Sequence, residues 1–191
     1  MTMKDIPNRN NIGEALKELG LTGNGIEIGV AVGNFSRVII DHFPLKKIFL
    51  LDLWKELPSA EYEDATNSKQ EIQDKRYNMV LEIAKPCGDK VTVIRKDSRL
   101  APSDFEDNYF DFIYIDANHK YEYVKADLNN WYPKLRPGGF FSGHDYLNKR
   151  NRMGLCEVRK AVDEFCVHIG ITPKIIPGTR RCPLSWYWIK P

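Results

Sequence analysis

Apolar residues at helical spacing open the chain. Ile12, Ala15, Leu16 and Leu19 fall on one stripe, and Gly20 supplies a C-terminal stop, which predicts a short leading helix within residues 1–20. The pattern then changes. Ile26–Val30 reads as a strand, a glycine-bearing turn follows, and a helical stretch through Val38, Ile39 and His42 ends near Pro44. Ile48-Phe49-Leu50-Leu51 is an unbroken apolar run closing on Asp52. A parallel strand buried on both faces has this look, whereas a half-exposed strand alternates apolar with polar residues. Together these segments make one βαβ unit.

From Lys55 to Gln70 the chain turns polar and acidic (Glu56, Glu61, Glu63, Asp64) and loses its periodicity, which predicts a loop or lid over residues 55–70. A helix carrying Ile72, Met79, Val80 and Ile83 leads to Pro86 and Gly88, and a strand at Val91–Arg95 runs on to Asp97. Phe112-Ile113-Tyr114-Ile115 ends on Asp116. Tyr121, Val124, Leu128 and Trp131 then form a helical stripe up to Pro133, and Gly138-Gly139 opens a strand through Phe140 and Phe141. The last third predicts a basic loop (Lys149, Arg150, Arg152), a helix with Leu155, Val158, Val162, Phe165 and Ile169, and strands at Lys174–Ile176 and Trp186–Lys190. In the final strand Trp186, Tyr187 and Trp188 alternate, so one face joins the core and the other meets an edge or interface. Seven strands alternating with helices predict a single domain over residues 1–191. Its fold class is α/β, doubly wound and Rossmann-like, with a mostly parallel sheet and helices on both faces.

Composition narrows the function. Lys and Arg total 28 against 26 Asp and Glu, a net charge of +2, so nothing drives the chain toward nucleic acid or an acidic membrane surface. No apolar run approaches the roughly 18 residues of a membrane span, and the opening Met1-Thr2-Met3-Lys4-Asp5 has no signal-peptide core, which predicts a cytoplasmic protein. The four cysteines, at 87, 156, 166 and 182, form no CxxC pair and read as free thiols.

Ligands of doubly wound sheets bind beyond the carboxyl ends of the strands. Asp52, Asp97, Asp116 and Asp145 all fall at that edge. Four carboxylates there repel one another unless something cationic or rich in donors sits among them. The first turn, Glu27-Ile28-Gly29-Val30-Ala31-Val32-Gly33-Asn34-Phe35-Ser36, lacks the middle glycine of the dinucleotide fingerprint, the one that lets backbone close on a pyrophosphate. Asp52 follows Gly33 by about 19 residues, the spacing at which a carboxylate meets ribose hydroxyls. Both facts fit an adenosyl ligand without phosphates.

At this point the chain resembles the class I S-adenosylmethionine-dependent methyltransferases. The motifs are Glu27-Ile28-Gly29…Gly33, Leu51-Asp52-Leu53-Trp54, Lys96-Asp97-Ser98, Asp111-Phe112-Ile113-Tyr114-Ile115-Asp116 and Leu135-Arg136-Pro137-Gly138-Gly139, in the family's order. Ile115-Asp116-Ala117-Asn118-His119-Lys120-Tyr121 with Gly143-His144-Asp145-Tyr146 is similar to the family 24 methyltransferase domains and the macrocin-type, metal-dependent sugar O-methyltransferases. The resemblance implies an antiparallel last strand. It also implies that Glu27, Gly29, Gly33 and Ser36 surround the methionine part of the cofactor, with Asp52 at the ribose and Asp97 and Ser98 at the adenine edge, where Trp54 stacks. Asp116 borders the cofactor as well. A divalent metal (Mg²⁺ or Mn²⁺) is implied at Asp116, His144 and Asp145, although His144 departs from the acidic residue the sugar enzymes carry there. His119 is implied as the general base, and its ordinary pKa near 6.5 suits that task.

The expectation is therefore methyl transfer to a hydroxyl, on a sugar or glycoside, by a protein whose partner is a small acceptor and whose assembly into a homo-oligomer is left open. A catechol-like O-methyltransferase, a nicotinamide oxidoreductase and a binding module without turnover are the alternatives. Plainer roles compete residue by residue. Asp52, Asp97 and Asp116 can serve as helix N-caps, His119 can cap a helix near Lys120, His144 can be a satisfied buried histidine, and the basic run can be solvated surface.

Overall fold

The computed structural model describes residues 4–62, 64, 66–151, 154–179 and 182–191. Five strands arise in parallel, β1 (Asn24–Ile28), β2 (Lys47–Asp52), β3 (Val91–Arg95), β4 (Phe110–Ile115) and β5 (Leu135–Gly143). Two more, β8 (Lys174–Ile176) and β9 (Ser185–Ile189), complete a seven-stranded sheet of order β3-β2-β1-β4-β5-β9-β8. Its pairings are parallel except on the two sides of β9, which runs antiparallel to both β5 and β8. This is the doubly wound, Rossmann-like architecture with an inverted last strand. No helix among the described residues is long and apolar enough to cross a membrane.

The core divides by face. Helices α1 (Ile12–Glu18), α2 (Asn34–His42) and α3 (Gln70–Ala84) pack Leu16, Ile39 and Val80 against Leu50, Phe112 and Tyr187. Helices α4 (Tyr121–Trp131) and α5 (Val158–His168) pack Leu128, Trp131 and Val162 against Ile26, Leu51, Ile113 and Trp186 on the other. The apolar runs thus feed both layers from successive residues.

The structure departs from the expected pattern in five places. β1 stops at Ile28, two residues before the expected end, because Gly29 turns the chain at φ 92°. On α3, Ile72 and Met79 are exposed and Val80 alone of the four expected apolar positions is fully buried, since this helix flanks only the sheet margin. β5 begins at Leu135, before the Gly138-Gly139 pair, and its register with β4 shifts between Phe110 and Phe112. The basic loop is instead a hairpin of β6 (Lys149–Asn151) and β7 (Gly154–Cys156), which takes Leu155 out of the helix; Arg152 lies outside the described residues. Trp186, Tyr187 and Trp188 are all buried, because β9 sits between two strands with helices over both faces.

Where β1 and β4 end, their backbones touch. The Gly29 amide donates to Leu51 O at 2.8 Å, and the Asp116 amide donates to Ile28 O at 2.7 Å. A Cβ on Gly29 would lie 2.0 Å from the Asp116 carbonyl oxygen. Gly29→Ala therefore combines left-handed strain of about 1–3 kcal/mol with a backbone collision. The expected outcome is a urea midpoint lowered by at least that equivalent, and an unchanged midpoint shows that the two strand ends can part.

Candidate functional site

The carboxyl ends of β1, β2, β4 and β5 open onto one cavity of about 620 Å³. Its lining includes Glu27, Gly29, Asp52, Trp54, Asp97, Ser98, Asp116, His119, His144 and Asp145. Nearly every residue singled out in the sequence therefore faces a single space. Gly33 and Ser36 stand just behind it. Gly33 takes the left-handed N-cap of α2 at φ 78°, and the Ser36 hydroxyl donates to the Glu27 carboxyl. Burial pushes Glu27 up to about 8 despite that hydrogen bond. A carboxyl so placed is ready for a cationic partner.

Asp52 braces the turn as well as facing the cavity. Its Oδ2 accepts the Ala31 amide at 2.8 Å and its Oδ1 the Trp54 amide at 2.9 Å. Burial raises its pKa, opposed by these backbone hydrogen bonds. Trp54 is 1% exposed, packs on Tyr77 and donates its indole N–H to Ala31 O at 2.8 Å. The ring supports the turn and also lines the cavity. Asp97 is engaged by Arg99, at 2.6 Å to Nη2 and 2.9 Å to the amide, and Ser98 O accepts the Trp131 indole N–H at 2.9 Å. None of the expected aspartates is the N-cap of an α-helix; Gly33, Lys69 and Lys120 take those places on α2, α3 and α4.

At the β4 and β5 ends lies a cluster of two imidazoles and three carboxylates. His119 is held by Asp64 Oδ2, 3.2 Å from Nδ1, while Nε2 lies 3.1 Å from Asp145 Oδ2 and 3.6 Å from Asp116 Oδ1. The Nε2 contacts suit charge pairing but lack hydrogen-bond alignment, so this buried nitrogen has no hydrogen-bond partner. His144, 8% exposed, turns Nδ1 toward Asp145 and Asp116 at 3.5 and 3.6 Å and Nε2 toward Cys182 Sγ at 3.3 Å. One ligand atom from each of Asp116, His144 and Asp145 falls within 4.8 Å of the others. Two carboxylate oxygens and a ring nitrogen so spaced suit a divalent cation, and the unbonded His119 Nε2 stands beside them.

The electrostatics follow from the geometry. Burial alone would lower the His119 pKa, but the pairing with Asp116, Asp145 and Asp64 more than offsets it and raises it well above 6.5. Against the same burial, His119 and His144 hold Asp145 well below the usual carboxylate range, and His119 and Thr66 lower Asp64. His119 does not cap the helix. Asn118 accepts the Lys120 amide at 3.0 Å, and Glu157, the residue just before α5, accepts that of Tyr121 at 3.1 Å.

Two site residues escaped the sequence. Asp64 stands in the expected lid, where a bridge to Gly154 joins that loop to the β6–β7 hairpin as a roof over the cavity. Its partner His119 is 55 residues away, beyond any local pattern. Arg9 lies near the N-terminal end, with Nη1 3.4 Å from Asp116 Oδ2 and 3.2 Å from the Tyr114 hydroxyl. Its flanking Ile6 and Ile12 signal an anchored segment but not where the guanidinium points. Three of the four non-glycine residues with positive φ among those described, Ala31, Trp54 and Asp145, also line this cavity. Strain gathers here and not elsewhere on the sheet.

A sheet of this order, a glycine turn on β1 and an acidic residue on β2 define a class I S-adenosylmethionine-dependent methyltransferase. The family model described as a methyltransferase domain, family 24, matches residues 26–146, and the chain belongs to that family. This selects the methyltransferase over the nicotinamide oxidoreductase alternative. A curated relative, the uncharacterized protein y4gI of Sinorhizobium fredii (strain NBRC 101917 / NGR234), is 42% identical over 63 residues, a match covering 33% of this chain and 7% of that far longer protein. Among solved structures, the O-methyltransferase NovP is similar with a TM-score of 0.66 at 18% identity, over 95% of this chain and 77% of that one. An rRNA methylase from Streptococcus thermophilus is similar with a TM-score of 0.60 at 13% identity, over the full length of both. At such identities the likeness is one of fold, and the two names show how widely acceptors vary on it.

The charge cluster gives the metal-free protein a defined pH response. The folded state holds the His119 proton more tightly than the unfolded chain, so its stabilising contribution is complete below 6.5 and is lost as pH rises through the raised folded value. Asp64 and Asp145 act oppositely, contributing above the ordinary 3.8 and losing that contribution as pH falls. Melting temperatures taken in chelator on both sides of neutrality should decline toward alkaline pH, and His119→Gln should flatten that limb. An unaltered decline in the variant assigns it to another group.

Proposed function

We propose that this protein transfers the methyl group of S-adenosylmethionine to a hydroxyl oxygen of a small acceptor, a sugar or glycoside, with a divalent metal held by Asp116, His144 and Asp145 and with His119 managing the proton. One observation supports this above the others: the metal-competent trio and His119 lie on the same cavity as the glycine turn. The near-zero net charge favours a small acceptor over RNA.

The cofactor's methyl is already activated by the sulfonium, so the protein's task is alignment and deprotonation. The acceptor oxygen attacks the methyl carbon, the carbon–sulfur bond breaks, and S-adenosylhomocysteine leaves as a neutral thioether while the hydroxyl proton passes to a base. A divalent cation held by Asp116, His144 and Asp145 would lower the pKa of a nearby hydroxyl and offset the negative charge of Asp116 and Asp145 that raises the His119 pKa. Asp64 fixes Nδ1 and so presents Nε2 to the cavity, the nitrogen that would accept the proton. The turn of Glu27, Gly29, Gly33 and Ser36 seats the methionine end. Asp52 supports the ribose with the carboxylate edges its two backbone donors leave open, and Asp97, Ser98 and Trp54 border the adenine.

Chelation should abolish turnover and leave S-adenosylhomocysteine binding unchanged by calorimetry, and Asp145→Ala should reproduce the effect of chelator. Full activity in excess chelator removes the metal from the mechanism. Running the assay with a glycoside panel beside a catechol decides the acceptor class, since preferred turnover of the vicinal aromatic diol would make this a phenol methyltransferase.

His119→Ala should lower kcat by about 10²–10⁴-fold with cofactor affinity retained. His119→Asn at wild-type rate would assign the proton to another group.

A further inference from the structure

The cofactor of this family ends in an amino acid, with an α-ammonium and an α-carboxylate on one carbon. A site that seats this end needs a negative and a positive partner close together. Glu27 supplies the first. Nothing in the glycine turn supplies the second, because its residues between Ile28 and Arg37 carry no charge.

The cations lining the cavity differ in their freedom. Lys96 and Arg99, on the β3 side, are paired with Asp104 and Asp97 at 2.7 and 2.6 Å. Arg76 is tied to the Thr66 carbonyl at 2.5 Å, and Lys55 is exposed. Among the described Lys and Arg residues that line the cavity, Arg9 is the one at the β1–β4 end, beside Asp116 and Tyr114. Its guanidinium lies over the Phe35 ring at 4.7 Å, and its contacts to Tyr114 and Asp116 both use Nη1. Among the described residues, Nε and Nη2 have no hydrogen-bond partner, although the side chain is only 23% exposed. Three N–H donors of a rigid fork are thus left on a residue that lines the cavity, the donor set that receives a carboxylate.

The backbone holds this fork in place. Ile6 and Ile12 are both buried in the core on either side of it. Asn8 caps the intervening 3₁₀ turn, accepting the Asn10 amide at 3.0 Å. Ordering Arg9 therefore adds little entropic cost on binding.

We propose that Arg9 receives the α-carboxylate of the cofactor, opposite Glu27 at the α-ammonium, so that the N-terminal turn closes the methionine end of the cavity. The inference rests on the seating of the cofactor given above. It makes Arg9 a specificity residue that separates amino-acid-bearing adenosyl thioethers from those without the amino acid.

The test is a ligand cycle by calorimetry. S-adenosylhomocysteine carries the amino-acid group, and 5′-methylthioadenosine keeps the adenosine and the thioether without it. Arg9→Gln should weaken the first by about 10–100-fold and leave the second unchanged, with Arg9→Lys, which keeps the charge but not the fork, falling between. Equal loss of both ligands, or no loss of the first, overturns the proposal and leaves Arg9 as a partner of Asp116 only. Should Arg9→Gln fail to fold, Arg9→Lys with an unchanged ratio of the two affinities overturns it equally. Failure of the wild type to bind S-adenosylhomocysteine would overturn the seating as well.

Discussion

The contact between Gly29 and the backbone at Asp116 is the constraint on which the site depends. Two parallel strands that end at the same height would normally separate as their connections turn away. Here the missing side chain lets the first glycine turn lie against the end of β4, with the amides of Gly29 and Asp116 bonded to strand carbonyls on either side. The glycine turn proposed to receive the cofactor and the Asp116 end of β4 are thereby joined through backbone. A methyl transfer needs the donor carbon and the attacking oxygen aligned to within a fraction of an ångström, and backbone contact of this kind supplies such rigidity.

Around that contact the protein resolves its own charge problem. The four acidic strand ends do not repel one another, because each is answered locally: Asp52 by two backbone amides, Asp97 by Arg99, Asp116 by Arg9 and the imidazoles, and Asp145 by His119 and His144. The last two pairings use groups that a cation would displace or share. Burial and strain concentrate at the same place, with Asp145 itself in the left-handed region. Such an arrangement is stable alone yet poised to accept charge.

How much of this the sequence disclosed depends on range. Parallel strands announce themselves as apolar runs closing on aspartate, so the sheet, its helices and the edge bearing Asp52, Asp97, Asp116 and Asp145 were legible. So was the company of His119 and His144, which follow strand ends closely. The β6–β7 hairpin was not, since strands of three residues are too short to carry a periodicity and owe their existence to backbone pairing. Asp64 reaches His119 from a distant loop, and the partners of Arg9, Tyr114 and Asp116, lie more than a hundred residues away in the chain. That Asp52 and Trp54 also brace the turn was not legible, because the positive φ angles of Ala31 and Trp54, which bring their amide and carbonyl groups onto these side chains, leave no trace in composition.

The position of β9 has a consequence for the cavity. It inserts between β5 and β8, its Trp186 ring lies over Gly143, and the Trp186 indole N–H is bonded to His144 O at 3.2 Å. The Tyr146 amide is bonded to Leu184 O at 3.0 Å. The segment carrying His144 and Asp145 therefore takes its backbone support from a strand that lies beyond α5 and β8 in the chain, so a change that unpairs β9 would reach the cavity without altering a residue that lines it.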